Sequence, residues 1–164
     1  MKHAFTMIEL IYVIVILGIL SAVAIPKFAS TRNMADIGVA RSDVAVIRSA
    51  IMSERQSRLI TGVNTYISQL SPAAATTLFT GNGTTTLLTY GIVAGSSTTD
   101  TGKWTQNATA AGLENYSFRA DTLSIVFTYY ANSNTAGNPN GTFTCDRGGA
   151  APTALQKACK RIVD

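Results

Sequence analysis

Histidine, cysteine and charged residues are scarce in this chain of 164 residues. It contains one histidine, His3, and two cysteines, and only 13% of its residues are charged. The cysteines lack the paired spacing of a zinc site, and the sequence has neither a glycine-rich phosphate loop nor a nucleophile elbow. The composition therefore predicts a protein that is not an enzyme and that needs no metal or other cofactor.

One long apolar run lies near the N-terminus. It extends over Phe5–Ile25 and contains a single charged side chain, that of Glu9. At about 1.5 Å of rise per residue, a helix of this length spans about 31 Å, which is roughly the thickness of the hydrocarbon core of a bilayer. The run therefore predicts one membrane-spanning helix.

The carboxylate of Glu9 is the unusual feature of this run. An acidic side chain in hydrocarbon costs about 2.5 to 3.5 kcal/mol, so such a group usually has a partner and a function. Leu10–Ile25 carries no charge. The nearest basic side chains are those of Lys2, His3 and Lys27. Since none of these lies within the run, we expect the counter-ion of Glu9 to come from another chain.

Two other interpretations of the apolar run stay open. In the first, residues 1–24 are a secretory signal with a basic start at Lys2 and a small-residue cleavage site at Ala22–Ala24, although Glu9 would weaken such a signal. The mature protein would then be an exported soluble binding module that starts at Ile25. In the second, the run is an ordinary membrane anchor and Glu9 is incidental.

An amphipathic pattern follows Pro26. Its apolar residues recur at steps of three and four with charged residues between them, which is typical of a helix with one buried face. A proline can bend a helix without ending it, and Gly62 is a natural stop. We therefore predict one helix of about 50 residues, kinked at Pro26, with an apolar first half and an amphipathic second half. The predicted buried positions are Ile37, Ala40, Val44, Ile47 and Ile51.

Strand patterns are concentrated late in the chain. Residues Asp121-Thr122 are a predicted hairpin turn, and Asn140-Gly141 is a second turn signal. The expected fold is α+β, in which the amphipathic half of the long helix packs on a small antiparallel sheet of three or four strands. The predicted strands are Tyr116–Ala120, Leu123–Tyr130 and Thr142–Cys145.

The segment Leu59–Thr99 contains no charged residue and is dominated by Thr, Ser, Gly, Ala and Asn. Such a composition is typical of a linker. Short ordered pieces at Tyr66–Leu70 and Thr86–Val93 are the alternative, and the composition does not choose between them.

The N-terminal residues resemble a known family. Residues 2–10 read Lys-His-Ala-Phe-Thr-Met-Ile-Glu-Leu, and residues 18–26 read Gly-Ile-Leu-Ser-Ala-Val-Ala-Ile-Pro. Both segments resemble the N-terminal signature of type IV pilins and of the pseudopilins of type II secretion and DNA-uptake machines. In that family a prepilin peptidase removes a short basic leader just before a Phe, and the new terminal amine is methylated. The resemblance implies that residues 1–4 are the leader and that cleavage falls between Ala4 and Phe5, with Ala4 where the family usually has Gly.

The resemblance also implies a role for Glu9. Family members hold a Glu four residues after the Phe, and that Glu is thought to pair with the terminal amine of a neighbouring subunit. Residues 5–26 would form the transmembrane and assembly helix. Residues 27–164 would form a pilin-like domain in the periplasm or outside the cell.

The function implied by the resemblance is that of a structural subunit of a filament. The partners would be copies of the same chain, minor pilins or pseudopilins, the prepilin peptidase and an inner-membrane assembly platform. The chain would start as a single-pass precursor in the bacterial inner membrane and end in a periplasmic pseudopilus or a cell-surface pilus. The resemblance does not choose between a surface pilus, a secretion pseudopilus and a DNA-uptake filament.

The two cysteines, Cys145 and Cys159, predict a disulfide if the chain is exported, because an even pair in such a chain is usually oxidised. Closing a loop of about 15 residues contributes roughly 3 kcal/mol in the chain-entropy model. Two free buried thiols are the alternative. The resemblance supports a bridge that pins a C-terminal loop to the sheet, with a short helix within Pro152–Lys160.

The chain is basic, with a formal net charge of +4 that would fall to +3 on removal of Lys2. Basic residues near the C-terminus could touch DNA through phosphate contacts that are independent of sequence and weakened by salt. A solvated surface is the alternative. The basic residues are Arg147, Lys157, Lys160 and Arg161, against Asp146 and Asp164.

Overall fold

The computed structural model describes residues 5–107, 113–132, 137–149 and 152–164, apart from the side chains of residues 29 and 30. The chain forms two compact units, of which the first ends at Ala35 and the second is Asp36–Asp164. The described elements are α1 (Met7–Ile60), β1 (Thr77–Leu78), β2 (Ile92–Val93), β3 (Trp104–Gln106), β4 (Leu113–Ala120), β5 (Leu123–Tyr130), β6 (Thr142–Cys145) and α2 (Ala154–Val163).

The long helix α1 continues through Pro26, as the sequence predicts. It ends in a C-terminal capping motif that needs one residue in the left-handed helical conformation, and Gly62, with a φ of 81°, is that residue. The Val63 N–H donates to the carbonyl of Arg58 at 2.9 Å, and the Gly62 N–H donates to the carbonyl of Leu59 at 3.1 Å. The predicted stop at Gly62 is therefore confirmed, while the bend at Pro26 stays a prediction.

The main sheet has four antiparallel strands in the order β3-β4-β5-β6, and β1 and β2 form a separate antiparallel pair. Ala120 pairs with Leu123, so Asp121-Thr122 is the predicted two-residue turn. Asp121 has a φ of 55°, a conformation that Asp tolerates better than most residues. Strands β5 and β6 have the predicted bounds, whereas β4 begins at Leu113, three residues earlier than predicted.

The core lies between the second half of α1 and one face of the sheet. Four of the five predicted helix positions are buried, and Ile37 is partly buried against them. A hydrogen bond from a side chain to the backbone also joins α1 to β6, because Arg48 Nε donates to the carbonyl of Phe143 at 3.0 Å. This arrangement confirms the predicted α+β fold. The largest side chains in the core are those of Trp104, Tyr116, Tyr129, Phe79, Phe118, Phe127 and Phe143.

The uncharged segment after α1 is an ordered part of the domain rather than a linker. Ile67 and Leu70 are fully buried, as are Leu78 and Phe79 around strand β1. The Phe79 ring lies 4.6 Å from the Tyr116 ring, centroid to centroid. Burying a side chain of this size contributes about 1.5 to 3 kcal/mol, which holds the segment on the sheet.

Cys145 at the end of β6 and Cys159 in α2 form a disulfide, as the sequence predicts. Helix α2 ends three residues beyond the predicted Lys160. Its first turn is fixed by reciprocal bonds, in which the Gln156 N–H donates to Thr153 Oγ1 and the Thr153 N–H donates to Gln156 Oε1. The bridge and this capping box hold the C-terminal segment against the end of β6.

Candidate assembly site

The first half of α1 exposes its apolar side chains on every side. The large apolar residues between Phe5 and Phe28 are exposed by at least 40%, the value for Ile16, and by as much as 81% for Phe5. The most apolar stretch of 18 residues in α1 has a mean hydropathy of 2.7, so the helix is long and apolar enough to cross a membrane. An apolar surface of this extent marks a membrane or protein interaction site. It suits a single-pass membrane anchor.

Glu9 lies in the first turn of this exposed helix. Its N–H donates to Thr6 Oγ1 at 3.4 Å and to the Thr6 carbonyl at 3.1 Å, so Thr6 caps the helix. The negative charge is favourable there, because the N-terminal end of a helix carries a partial positive charge. Within the described part of the chain, however, the Glu9 carboxylate forms no ion pair or hydrogen bond.

The other residues of the predicted assembly site are only partly placed by the structure. Phe5 lies exposed two residues before α1 begins. Ala4 and the rest of the predicted leader lie outside the described residues. Pro26 lies inside α1. The roles of Ala4, Phe5 and Glu9 in processing and assembly therefore stay predictions.

A buried carboxylate in the domain, Glu114, is a feature that the sequence did not reveal. Its Oε2 accepts the Leu70 N–H at 2.6 Å and the Tyr116 hydroxyl at 3.1 Å, while its Oε1 is buried without a partner. Burial raises the pKa of Glu114, and the two hydrogen bonds oppose that rise only in part. The Tyr116 oxygen also lies 3.0 Å from Ser71 Oγ, and because the tyrosine proton goes to Glu114, the Ser71 hydroxyl is the donor in this second bond. This cluster ties the Leu70-Ser71 segment to β4.

A second carboxylate, Asp43, joins α1 to the outer strand of the sheet. Its Oδ2 accepts the indole N–H of Trp104 at 2.8 Å. Burial raises the pKa of Asp43, and the bond from Trp104 acts in the opposite direction. Asp43 and Trp104 are 61 positions apart in the sequence, so the periodicity of either segment did not predict their contact.

The C-terminal charges divide into paired and exposed groups. Arg147 pairs with Asp164 at 3.1 Å, and Asp146 accepts bonds from Gln156 and from the Gly148 N–H that lower its pKa. Three basic residues of α2 are exposed and form no ion pair with any described residue. Their spacing of three and four places them on one face of the helix. They are Lys157, Lys160 and Arg161.

Among the described residues, no group of three or more His, Cys, Asp or Glu side chains is arranged to hold a metal ion. The chemistry that the described part of the chain displays is instead that of an interaction surface: a bare apolar helix with one carboxylate, and a small disulfide-bonded domain. Such features suit assembly with other molecules.

Comparison with known proteins agrees with this view. Type II secretion system core protein G of Pseudomonas aeruginosa is 43% identical to the chain over 50 residues, which is 30% of this chain and 35% of that protein. The match thus spans about a third of the relative's length. No family model matches the chain, and no solved structure matches it. The partial likeness, together with the α+β fold, supports a relationship to the pilins and pseudopilins.

Proposed function

We propose that this protein is a pseudopilin-like structural subunit that polymerises into a type II secretion pseudopilus or a type IV pilus-like filament. It has no catalytic role in this proposal. A prepilin peptidase removes residues 1–4, and the amine of Phe5 is methylated. The main support is the bare apolar half of α1, which carries one carboxylate with no partner in the described chain.

Glu9 sets the register of assembly in this proposal. The terminal amine of a neighbouring subunit supplies the missing counter-ion. Opposite charges a few ångströms apart attract by several kcal/mol at low effective dielectric, whereas a wrong register leaves both charges buried and alone. The pair therefore selects one arrangement of neighbouring helices more than it strengthens the filament.

The strength of the filament comes from the apolar side chains around Glu9. They pack against the same side chains of neighbouring copies, and about 25 cal/mol is gained per Å² of apolar surface that is kept out of water. Head-to-tail contacts that do not close into a ring produce an open helical polymer. Before assembly the same helix anchors the subunit in the inner membrane, with the domain on the outer side.

The test compares the wild type with Glu9→Gln and Glu9→Leu in cells that contain the assembly machinery. Both variants should enter the membrane but form few or no filaments, as measured by shearing, pelleting and electron microscopy. Asp121→Asn, which also removes an exposed carboxylate, is the matched control and should assemble normally. Filaments of normal length and number from Glu9→Leu would rule out the proposed role of this residue.

Sequencing the N-terminus of the mature protein separates the proposal from its main alternative. A methylated Phe5 at the start agrees with processing by a prepilin peptidase. A start at Ile25 instead identifies an exported soluble binding module with a discarded signal. Replacing Ala4 by Gly, the usual family residue, should speed processing in the first case and leave it unchanged in the second.

Contact with DNA is a second candidate function, favoured by the exposed basic face of α2. In this case the chain would serve in a DNA-uptake filament, and Lys157, Lys160 and Arg161 would contact phosphates. Gel shifts with the full chain in detergent micelles should show retardation at low salt that disappears at high salt. The triple variant with Gln at these positions should bind less DNA, and the absence of retardation by the wild type at low salt ends this idea.

A further inference from the structure

Strand β3 is one of the two edge strands of the main sheet, and part of its outer edge has no neighbouring strand. On its inner side the Asn107 N–H donates to the Asn115 carbonyl at 2.8 Å, and the Lys103 carbonyl accepts from Arg119. Peptide groups of a strand alternate in direction, so those of Trp104 and Gln106 face away from β4. They form the outer edge of the sheet.

Only the first of these two residues is covered. Ala94 pairs with Trp104 in a short parallel bridge, and the Gly95 N–H donates to the Trp104 carbonyl at 2.8 Å. After Gly95 the segment no longer pairs with β3 and is held by Asp100 instead. The N–H and hydroxyl of Ser96 donate to the carboxylate of Asp100 at 2.9 and 3.0 Å. The parallel pairing therefore stops after one residue.

Gln106 is left with unused hydrogen-bonding groups. Its outward N–H and carbonyl have no hydrogen-bond partner among the described residues. Its side-chain Oε1 is buried and also has no partner. Buried polar atoms such as Oε1 are nearly always paired, and an outward N–H and carbonyl on a sheet edge can pair with another strand, so these groups together indicate a place where a further molecule can bind.

Next to Gln106 lies a groove of about 700 Å³, which we call the edge groove. Its walls are Ala73–Thr76, Val93–Thr98 and Thr105–Asn107. Its volume is in the range of about 300 to 1,000 Å³ that is usual for ligand sites. None of the residues that line it is charged, and its apolar side chains are those of four alanines and one valine.

We propose that the edge groove binds an extended, uncharged peptide segment of another protein, which adds to β3 as a further strand. The N–H and carbonyl of Gln106 would pair with the backbone of the segment, as in other cases of strand addition at an open edge. Small apolar side chains would contact the alanine and valine walls. A charged side chain would lose water there without meeting a counter-charge, so the groove selects against it.

This inference does not depend on filament assembly, since it concerns the domain and not the first half of α1. A filament subunit that binds peptides at this edge could hold an exported protein or a second component of its own machine. The edge groove could also be occupied by a second copy of this chain, and the experiment below separates the two.

The experiment uses the full chain, labelled with ¹⁵N, in detergent micelles. The probe is the peptide acetyl-Thr-Val-Thr-Val-Thr-amide, and amide signals are followed by nuclear magnetic resonance. We expect shifts at Gln106 and Asn107 and slower hydrogen exchange of the Gln106 amide. Two comparison peptides, one N-methylated at alternate amides and one with Lys in place of Thr, should bind about five- to tenfold more weakly, because they lose a hydrogen bond or bring in a charge.

Two variants test the site from the side of the protein. Gln106→Pro removes the outward N–H while it keeps the bonds between β3 and β4, and Val93→Lys places a charge at a residue that is 62% exposed. Each should weaken peptide binding about five- to tenfold. Tyr90→Lys, at a residue 92% exposed and outside the groove lining, is the matched control and should bind normally. If Gln106→Pro does not fold, Val93→Lys still provides the test.

Three outcomes overturn the inference. The first is the absence of any shift at Gln106 with the unmodified peptide. The second is equal binding of the N-methylated peptide, because strand addition needs free amides. The third is a shift of the Gln106 signal that grows with protein concentration in the absence of peptide, which would assign the edge groove to a second copy of the chain.

Discussion

The two halves of α1 use the same kinds of residue in opposite ways. In the first unit, up to Ala35, isoleucines such as Ile14 are more than half exposed. In the second unit, Ile47 is completely buried in the core of the domain. The second half of this continuous helix thus contributes side chains to the core of the domain, whereas the apolar side chains of the first half are exposed. Because an exposed apolar surface of this extent marks a membrane or protein interaction site, the difference separates an interaction surface in the first half from a core-forming surface in the second.

Two of the carboxylates that form no ion pair with a described residue, those of Glu9 and Glu114, show the same contrast. Glu9 has no side-chain partner among the described residues, whereas Glu114 is held inside the domain by the Leu70 N–H and the Tyr116 hydroxyl. The carboxylate of Glu9 is therefore available to another chain. The carboxylate of Glu114 instead holds parts of the domain together.

The largest expected effect tests the contrast between the isoleucines. Ile47→Ala should lower the free energy of unfolding of the domain by about 2 to 5 kcal/mol, because it leaves a cavity in the core. Ile14→Ala, the matched control, should change it by much less. Urea unfolding of the full chain in detergent micelles, followed by the fluorescence of the single tryptophan, Trp104, measures both. Equal effects of the two substitutions would contradict the division of α1 into a covered and an uncovered half.

The disulfide should stabilise the second unit alone. Removing it by Cys145→Ala together with Cys159→Ala should lower the free energy of unfolding of the domain by about 3 kcal/mol, since the unfolded chain regains the entropy of an open loop. Insertion of the chain into membranes should not change. Urea unfolding with and without a reducing agent measures the same quantity in the wild type, and a domain that is equally stable when reduced would disprove the prediction.

Protonation of Glu114 should make the stability of the domain depend on pH. Burial raises its pKa, so between the ordinary value of 4.5 and the raised native value the native state keeps a proton that the unfolded state has released. Stability therefore falls as the pH rises through this window, by about 1.4 kcal/mol for each unit by which the pKa is raised. Glu114→Gln should remove the part of this fall that Glu114 causes, whereas the part caused by Asp43, whose pKa burial also raises, should remain.

A control with the opposite sign is available for the pH experiment. Bonds from Ser96 and Ser97 lower the pKa of Asp100, so its contribution to stability is lost as the pH falls below the ordinary value of 3.8. Asp100→Asn should therefore alter only the acid end of the curve of unfolding free energy against pH. If Glu114→Gln leaves the fall above pH 4.5 unchanged, another group causes it.

The smallest expected effect compares the two helix caps. Thr153→Ala removes the capping box of α2 and should lower the free energy of unfolding of the domain by about 1 kcal/mol. Thr6→Ala removes the cap of α1 in the first unit and should leave this quantity unchanged. Thermal unfolding followed by circular dichroism compares the two. A similar loss from both would mean that the first turn of α1 contributes to domain stability.

Much of the fold could be predicted from local patterns. The bounds of β5 and β6, the turn at Asp121-Thr122 and the stop at Gly62 follow from strand alternation and from residues that accept a positive φ. The disulfide followed from having two cysteines in a chain that looked exported. The strands, the turn and the stop depend on neighbouring residues in the sequence, and two cysteines can form only one disulfide with each other.

Features that depend on distant residues were missed. Strand β3 has only three residues and is defined by its pairing with β4, so it had no pattern of its own. Strand β4 was predicted to start at Tyr116, so Glu114, which lies between its true start at Leu113 and Tyr116, was not recognised as part of the sheet. The composition of the uncharged segment after α1 did not choose between a linker and short ordered pieces, and only the structure shows that Ile67 and Leu70 are core residues.

The sequence by itself determined the bare apolar helix, the position of its single carboxylate and the amphipathic stripe that follows, because periodicity and charge are local properties. Only the tertiary structure decided which polar groups are satisfied. Hydrogen bonds to Glu114 and Asp43 come from residues far away in the chain, and the open edge at Gln106 exists because the neighbouring segment leaves β3 after Gly95. Such partners are set by how the chain packs, which no short window of sequence contains.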